Sequence, residues 1–384
     1  MTVGIPKETW PGETRVAVIP ATVPALTKAG LDVIVERNAG TAAGFPDDAY
    51  VAQGTTIASR DDVFAKSQIV LQVRVTPDTA ATLKRGQAVI GFADPLGAPL
   101  LVRDLGSSGA AVFSMELMPR ITRAQSMDAL SSMATIAGYK GVLLAANVLP
   151  RMFPMLMTAA GTISPARVFI VGAGVAGLQA ISTARRLGAK VEAYDVRPAV
   201  KEQVQSLGAK FVELPLDAAD SEDKGGYAKA QDESFYRRQR EMMLKVVAAS
   251  DVVVTTALVP GKRAPILITK EMVEAMSPGT VVVDLAAERG GNCELTKPDE
   301  IVEHRGVTIV GPSNPPALVP YHASQMYSKN ISTFLLHLLG KEGAKQPALA
   351  IDAADEITRE TLLTVNGEVV HPRVKELLNT GVKA

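Results

Sequence analysis

Gly172, Gly174 and Gly177 stand in the run Val168-Phe169-Ile170-Val171-Gly172-Ala173-Gly174-Val175-Ala176-Gly177, where a β-branched strand candidate enters a glycine turn and then a helix. That order suits one kind of chemistry. The first glycine permits a tight turn, the second lets backbone approach a pyrophosphate, and the third lets the helix pack closely on the strand. The phosphates would lie by Val175 at the helix N-terminus, where unsatisfied N–H groups and the helix dipole favour an anion. A glycine pattern alone is weak, but the next strand candidate, Lys190–Tyr194, runs into Asp195. An acid about 20 residues beyond the glycines is where an adenosine ribose would be bound. Asp195, with Val196 beside it, would accept from the ribose and repel a 2′-phosphate, which favours NAD over NADP. Arg197 pulls the other way, and an ordinary turn acid is the plain alternative. Two later strand candidates end in Thr255-Thr256-Ala257-Leu258 and Asp284-Leu285-Ala286. Strand C-termini line the crevice of such folds, so Ala257 and Leu258 would run beside the ribose and nicotinamide; they could equally be core termini.

These residues need a scaffold of parallel strands. Short β-branched runs alternate with helix-like segments, the pattern of an α/β fold. The first series is Val3–Ile5, Val33–Val35, Ile69–Val73, Val89–Phe92 and Ala111–Ser114. The second is Val168–Val171, Lys190–Tyr194, Phe211–Leu214, Asp251–Thr255, Val281–Asp284 and Val307–Val310. Long helical segments flank the second series. Met127, Leu130, Ala134, Ala137 and Gly141 share one helical face, and Tyr321 to Leu339 is helical in pattern after Pro320. The expectation is two doubly wound Rossmann-like domains, separated by a cleft and joined by two long helices. Residues 1–135 with 320–384 would form the first domain and 136–319 the nucleotide domain. Beyond Gly340 the sequence turns polar, so the tail is expected to be loosely held, with a small hairpin at Asn366-Gly367.

Composition narrows the function. The chain has 384 residues, 47% of them hydrophobic, with 40 basic against 40 acidic side chains. A balanced charge supplies no field for nucleic acid or an anionic membrane. One cysteine, Cys293, makes neither an internal disulfide nor a multi-cysteine metal site, so no metal is expected and a reducing cytoplasm suits the chain. The N-terminus lacks the apolar core of a signal peptide. The apolar stretch Val142 to Ile163 is broken by Pro150, Arg151 and Pro154, and the stretch Gly306 to Ser328 by prolines and polar residues. Direct membrane insertion is therefore not expected.

Two segments carry a resemblance to a known family. Met115-Glu116-Leu117-Met118-Pro119-Arg120-Ile121-Thr122-Arg123-Ala124-Gln125-Ser126-Met127-Asp128-Ala129-Leu130-Ser131-Ser132 resembles the nucleotide-gripping loop of transhydrogenase α subunits, and Gly225-Gly226-Tyr227-Ala228-Lys229 resembles that family's mobile loop. Val200–Gly208, Thr255–Lys262 and Gly290-Gly291-Asn292-Cys293 are similar to it as well. The resemblance implies that Gln125 positions the nicotinamide ribose, while Arg120, Asp128 and Ser131 fix the carboxamide. A carboxamide needs donors and acceptors, which these side chains supply. Capping of the following helix by Ser126 or Asp128 is the plainer reading, and both can hold. The resemblance also places Gly226 and Gln239 at the nucleotide, with Gln239 starting a helix. Tyr227 would close over it from the polar segment Asp217 to Glu241, which is either a lid or a solvated excursion.

By the same resemblance the chain binds NAD(H) and passes hydride to NADP(H) on a partner β subunit. A membrane-spanning subunit would couple this to proton movement at the inner face of the cell membrane, and the chain would form a homodimer. Pro6-Lys7-Glu8 with Glu13-Thr14-Arg15-Val16-Ala17 is also similar to alanine dehydrogenase. That family uses a lysine and a histidine, whereas the corresponding strands here read Gln72-Val73-Arg74-Val75 and Phe92-Ala93-Asp94-Pro95-Leu96. Arginine stays protonated near neutrality and makes a poor proton carrier. An amino-acid dehydrogenase and a non-catalytic NAD-sensing module remain the alternatives.

Overall fold

A computed structural model of the chain describes residues 1–213, 233–259, 261–339 and 348–380. It divides into two compact units, Met1–Met133 with Ala317–Ala384, and Ala134–Pro316. The strands of the first unit are β1 (Thr2–Ile5), β2 (Asp32–Glu36), β3 (Thr56–Ala58), β4 (Ile69–Arg74), β5 (Ala88–Phe92) and β6 (Ala111–Ser114). The second unit holds β7 (Leu156–Thr158), β8 (Gly161–Ile163), β9 (Arg167–Val171), β10 (Lys190–Tyr194), β11 (Lys210–Phe211), β12 (Val252–Thr255), β13 (Val281–Asp284), β14 (Ile301–His304) and β15 (Val307–Val310). The chain then returns to the first unit for β16 (Leu362–Val365) and β17 (Glu368–Val369).

In the second unit the sheet runs β11-β10-β9-β12-β13-β15-β14. All neighbours are parallel except β14, which lies antiparallel on β15. Valine-rich β12 and β13 are buried throughout, as a parallel strand covered on both faces must be. Chain order reverses between β9 and β12, so the glycine turn after β9 opens at the switch point of the sheet, where such folds bind ligands. The first unit repeats the plan with the order β17-β16-β6-β5-β4-β1-β2-β3, parallel from β6 to β3.

Several expectations need correction. Of the tail, residues 348–380 are described, and within them β16 is anchored, adding to the sheet antiparallel to β6. The hairpin turn at Asn366 and Gly367 has φ of 55° and 94°, the left-handed pair that a two-residue turn requires. Val374, in the helix Pro372–Asn379, is fully buried in the same core as Val102 and Leu105. The short edge strands β3 and β14 were not anticipated, and Leu214 lies outside the described residues.

The helix Ala129–Val148 does not bury the single face expected: Ala129, Met133 and Ile136 are buried in its first half, and Gly141, Val142 and Ala145, on roughly the opposite side, in its second. The reason is that small residues wrap it nearly all round, so hydrophobic periodicity says little. By length and composition this helix is the one among the described residues that could cross a membrane. Its glycines show instead how closely it packs. A Cβ added at Gly138 would lie 2.0 Å from the Ala176 carbonyl oxygen, and one at Gly141 3.0 Å from Leu285. The antiparallel pair β7–β8 stands apart from both large sheets and is exposed along its length.

Candidate functional site

The glycine turn of the second unit is shaped for an anion. Gly172 has φ of 97°, and a Cβ on it would fall 2.6 Å from the Thr256 hydroxyl oxygen. At Gly177 the helix meets the turn so closely that a Cβ would lie 1.9 Å from the Gly172 carbonyl oxygen. Gly174 differs: a Cβ there meets only the Arg197 guanidinium, at 3.8 Å. The space over Gly174 is thus open. Gly174 is also the N-cap of the helix Val175–Arg186 and offers no capping side chain, so the first-turn N–H groups await an acceptor. Tight packing at the outer glycines with an open middle one fits a pyrophosphate.

Asp195 stands at the end of β10 beside this turn, with 8% of its surface exposed. Its Oδ2 accepts from Ala173 N at 2.7 Å, and its Oδ1 from Arg197 N at 2.9 Å. The Arg197 guanidinium adds two further bonds, Nε to Oδ1 and Nη2 to Oδ2, both 2.9 Å. Val196 is half-buried and packs on the core behind the sheet.

On the next strand, Thr256 donates to the Gly172 carbonyl at 3.1 Å, Ala257 is half-buried, and Leu258 is 41% exposed. The Ala257 peptide is gripped by Asn292, a residue that earned no role from sequence beyond its place in the Gly290-Gly291-Asn292-Cys293 run. Asn292 is fully buried. Its Oδ1 accepts from Ala257 N at 3.0 Å while its Nδ2 donates to the carbonyls of Ala257 and Pro265, both at 2.9 Å.

Gln239 does not start a helix; it lies within the helix Glu233–Ala248 and is fully buried. Its Nε2 donates to the Tyr194 hydroxyl at 2.9 Å. Burial first, and the nearby Asp195 charge, push that hydroxyl up to about 12 against the opposing bond from Gln239. Gln239 therefore braces the strand that delivers Asp195. Gly226 and Tyr227 lie outside the described residues. Cys293 is a buried core residue whose thiol burial pushes up to about 11.

The first unit carries the other residues singled out. Arg120 and Gln125 are exposed, the one just before the 3-10 turn Thr122–Met127 and the other within it. Asp128 caps the helix Ala129–Val148: its carboxylate accepts from Ser131 N at 2.9 Å and from Ser131 Oγ at 2.5 Å. The capping reading of Asp128 is therefore correct, and Ser126 is not the cap. The turn is held from outside as well. Asn330 donates to the Ser126 carbonyl at 2.9 Å, and Arg123 pairs with Asp355 at 2.6 Å. Asp355 also accepts from Thr358 N at 2.8 Å and from His337 at 2.9 Å. Burial alone would raise its carboxyl, but these bonds together hold it well below the usual carboxylate range. Sequence offered one signal for it, an Asp three residues before Thr358 at a helix start.

Near β4 the charged side chains pair with one another. Arg15 is locked on Glu13, Nε to Oε1 at 2.7 Å and Nη2 to Oε2 at 2.5 Å, and Arg74 leans on Glu13 at 3.6 Å and on the Trp10 ring at 5.3 Å. Glu8 accepts from the backbone N–H groups of Val73 and Arg74, and burial pushes its carboxyl up to about 8. It is a titratable group near neutrality that the sequence reading missed. Both its oxygens are spent on the irregularity between β4 and β5, which makes it a brace.

The comparisons agree with this geometry. Residues 4–137 match the N-terminal domain and residues 141–372 the C-terminal domain of the alanine dehydrogenase/PNT family. The chain is 46% identical over 380 residues to the first portion of the NAD(P) transhydrogenase alpha subunit of Rhodospirillum rubrum, covering 97% of this chain and 98% of that one. A crystal structure of transhydrogenase from Sinorhizobium meliloti superposes with a TM-score of 0.84 at 42% identity, over 97% of this chain and 99% of that one. An L-alanine dehydrogenase structure gives a TM-score of 0.82 at 26% identity, with both chains fully covered. With an open glycine turn, an acid at the next strand end and this degree of similarity to transhydrogenase α subunits, the chain belongs to the alanine dehydrogenase/PNT family, on its NAD(P) transhydrogenase side.

Proposed function

We propose that this chain is the NAD(H)-binding subunit of a proton-translocating NAD(P) transhydrogenase, handing hydride from NADH to NADP⁺ held on a partner β subunit. The observation that carries the reading is the open space over Gly174 at an uncapped helix N-terminus, with Asp195 beside it. The relative named as a transhydrogenase subunit also spans the same length as this chain. Bound NADH supplies the hydride. The first-turn N–H groups after Gly174 hold its pyrophosphate, Asp195 takes the adenosine ribose, and Ala257 and Leu258 run beside the nicotinamide half. Gln125 positions the nicotinamide ribose, while Arg120, Asp128 and Ser131 fix the carboxamide. Transfer between two nicotinamides takes no proton from a side chain. It needs the reacting carbons roughly 3–3.5 Å apart with water excluded. Domain boundaries near 135 and 320, Gly226 and Tyr227 as a closing segment, and Gln239 as a border of the site belong to the same proposal. So does attachment to the inner face of the cell membrane through a membrane-spanning subunit, without insertion of this chain.

Self-association is also included in the reading. The β7–β8 hairpin exposes Met155, Leu156, Met157 and Ile163, with Met157 at 74%. An isolated two-stranded hairpin has little stability of its own in water. Burial against a second copy would supply it, and we assign the homodimer contact to this hairpin.

The test mixes purified chain and NADH with either pyruvate plus ammonia or a cognate NADP(H)-binding subunit and an NADP⁺ analogue. Hydride transfer is expected only with the second subunit. Turnover with pyruvate and ammonia would establish an amino-acid dehydrogenase, and no transfer in either mixture a sensor. Gln125→Asn should slow single-turnover transfer at least tenfold more than it weakens NADH binding; equal losses remove the positioning role.

A further inference from the structure

The Asp195 carboxylate is saturated before any nucleotide arrives. A carboxylate offers about four acceptor positions. Ala173 N and Arg197 Nη2 take those on Oδ2, and Arg197 N and Nε those on Oδ1. The guanidinium and carboxylate thus form a two-bond fork, with side chains only 11% and 6% exposed. The fork sits against the phosphate turn: Ala173 N binds its acid end, and the Arg197 Nη2 lies 3.8 Å from where a Cβ on Gly174 would be. A full positive charge therefore stands at the edge of the adenosine-phosphate position, neutralised by the acid two residues before it.

We propose that Asp195 and Arg197 work as one specificity-determining unit, in which the carboxylate withholds from a 2′-phosphate the guanidinium that would otherwise bind it. This rests on the reading of the second unit as an NAD(H) site. Asp195 then has two tasks. It accepts from the ribose hydroxyls once the fork loosens, and it keeps the arginine occupied. An arginine suits a phosphate because its planar fork matches two oxygens at once. Discrimination against NADP(H) follows from where that fork points, as well as from repulsion by the acid. Loosening the fork is a cost carried by every NADH binding event, and a ribose hydroxyl pair offsets it where a phosphate dianion facing the carboxylate would not.

The experiment titrates the full-length chain with NADH, NADPH, 2′-AMP and 5′-AMP by calorimetry, for the parent, Asp195→Asn, Arg197→Gln and the double variant. Asp195→Asn is expected to raise the NADPH-to-NADH affinity ratio at least tenfold and to bind 2′-AMP more tightly than the parent does. Adding Arg197→Gln should abolish that gain. The proposal is overturned if Asp195→Asn leaves the ratio unchanged, or if the double variant keeps the gain. Should Asp195→Asn fail to fold, Arg197→Gln decides alone. It uncovers the acid, so the NADPH-to-NADH ratio should fall at least threefold; an equal change for both nucleotides overturns the proposal. Absence of NADH binding to the parent would instead overturn the underlying site, so the two failures are told apart.

Discussion

Asn292 and Ala257 meet amide to peptide, donor to acceptor and acceptor to donor, at 2.9 and 3.0 Å. The pairing fixes the backbone of the strand end that leads into Leu258. Asn292→Ala removes the partner of the Ala257 N–H and of the Ala257 and Pro265 carbonyls. As these groups are half-buried, each loss costs at most about 1 kcal/mol, near the low end for an unpaired group. Thermal melting should fall by several degrees, and NADH binding should weaken at least threefold. A lower melting temperature with unchanged NADH affinity would confine Asn292 to holding the fold.

Two glycines of the phosphate turn should respond in opposite ways to the same methyl group. Gly177→Ala places a carbon 1.9 Å from the Gly172 carbonyl oxygen, so the helix must shift and the protein should lose stability outright. Gly174→Ala meets only a guanidinium at 3.8 Å, so its melting temperature should stay near the parent's while NADH binding drops at least tenfold. Unimpaired NADH binding in Gly174→Ala would end the assignment of that space to a pyrophosphate.

Acid should release the Arg123–Asp355 anchor. The Asp355 carboxyl is held below its ordinary range in the folded chain, so the unfolded chain binds a proton there first as pH falls. Its stabilisation is complete above about pH 4, the unfolded value, and disappears as pH drops toward the folded one. Urea melts from pH 6 to pH 3 should show a steeper loss for the parent than for Asp355→Asn, which begins lower and stays flatter. Parallel slopes would remove Asp355 from the acid response.

Charge on the exposed hairpin offers a direct check of self-association. Met157→Glu puts a carboxylate on the most exposed apolar side chain of β7. Sedimentation should show the parent as a dimer and the variant as a monomer at the same concentration, with NADH binding per chain kept. A variant that remains dimeric moves the contact elsewhere.

What could be read in the sequence was local. The turn at Gly172 needs a positive φ, only glycine takes 97° there without strain, and the strand-turn-helix order announces it. The valine runs of β12 and β13 identify buried parallel strands by composition alone. What escaped notice depends on partners far along the chain. Asp195 and Arg197 are two residues apart, yet nothing in that spacing says they form a fork. The grip of Asn292 on Ala257 spans 35 residues, and the edge strands β3 and β14 are largely exposed and lack the buried apolar run that marks the inner strands. The polar tail looked unattached because Leu362 and Leu363 find their core only by pairing with a strand formed some 250 residues earlier.

That pairing of β16 with β6 sets an order of assembly on the ribosome. Everything from Ala134 to Pro316 has emerged while the outermost strands of the enclosing unit are still being made. The inserted unit can settle as soon as its own last strand appears, whereas the enclosing one must wait, its β6 edge bare, for nearly the whole message to be read. A nascent chain stalled just before Leu362 would thus carry a finished inserted unit and an enclosing one still lacking its closing strand, and chaperones should favour that exposed edge.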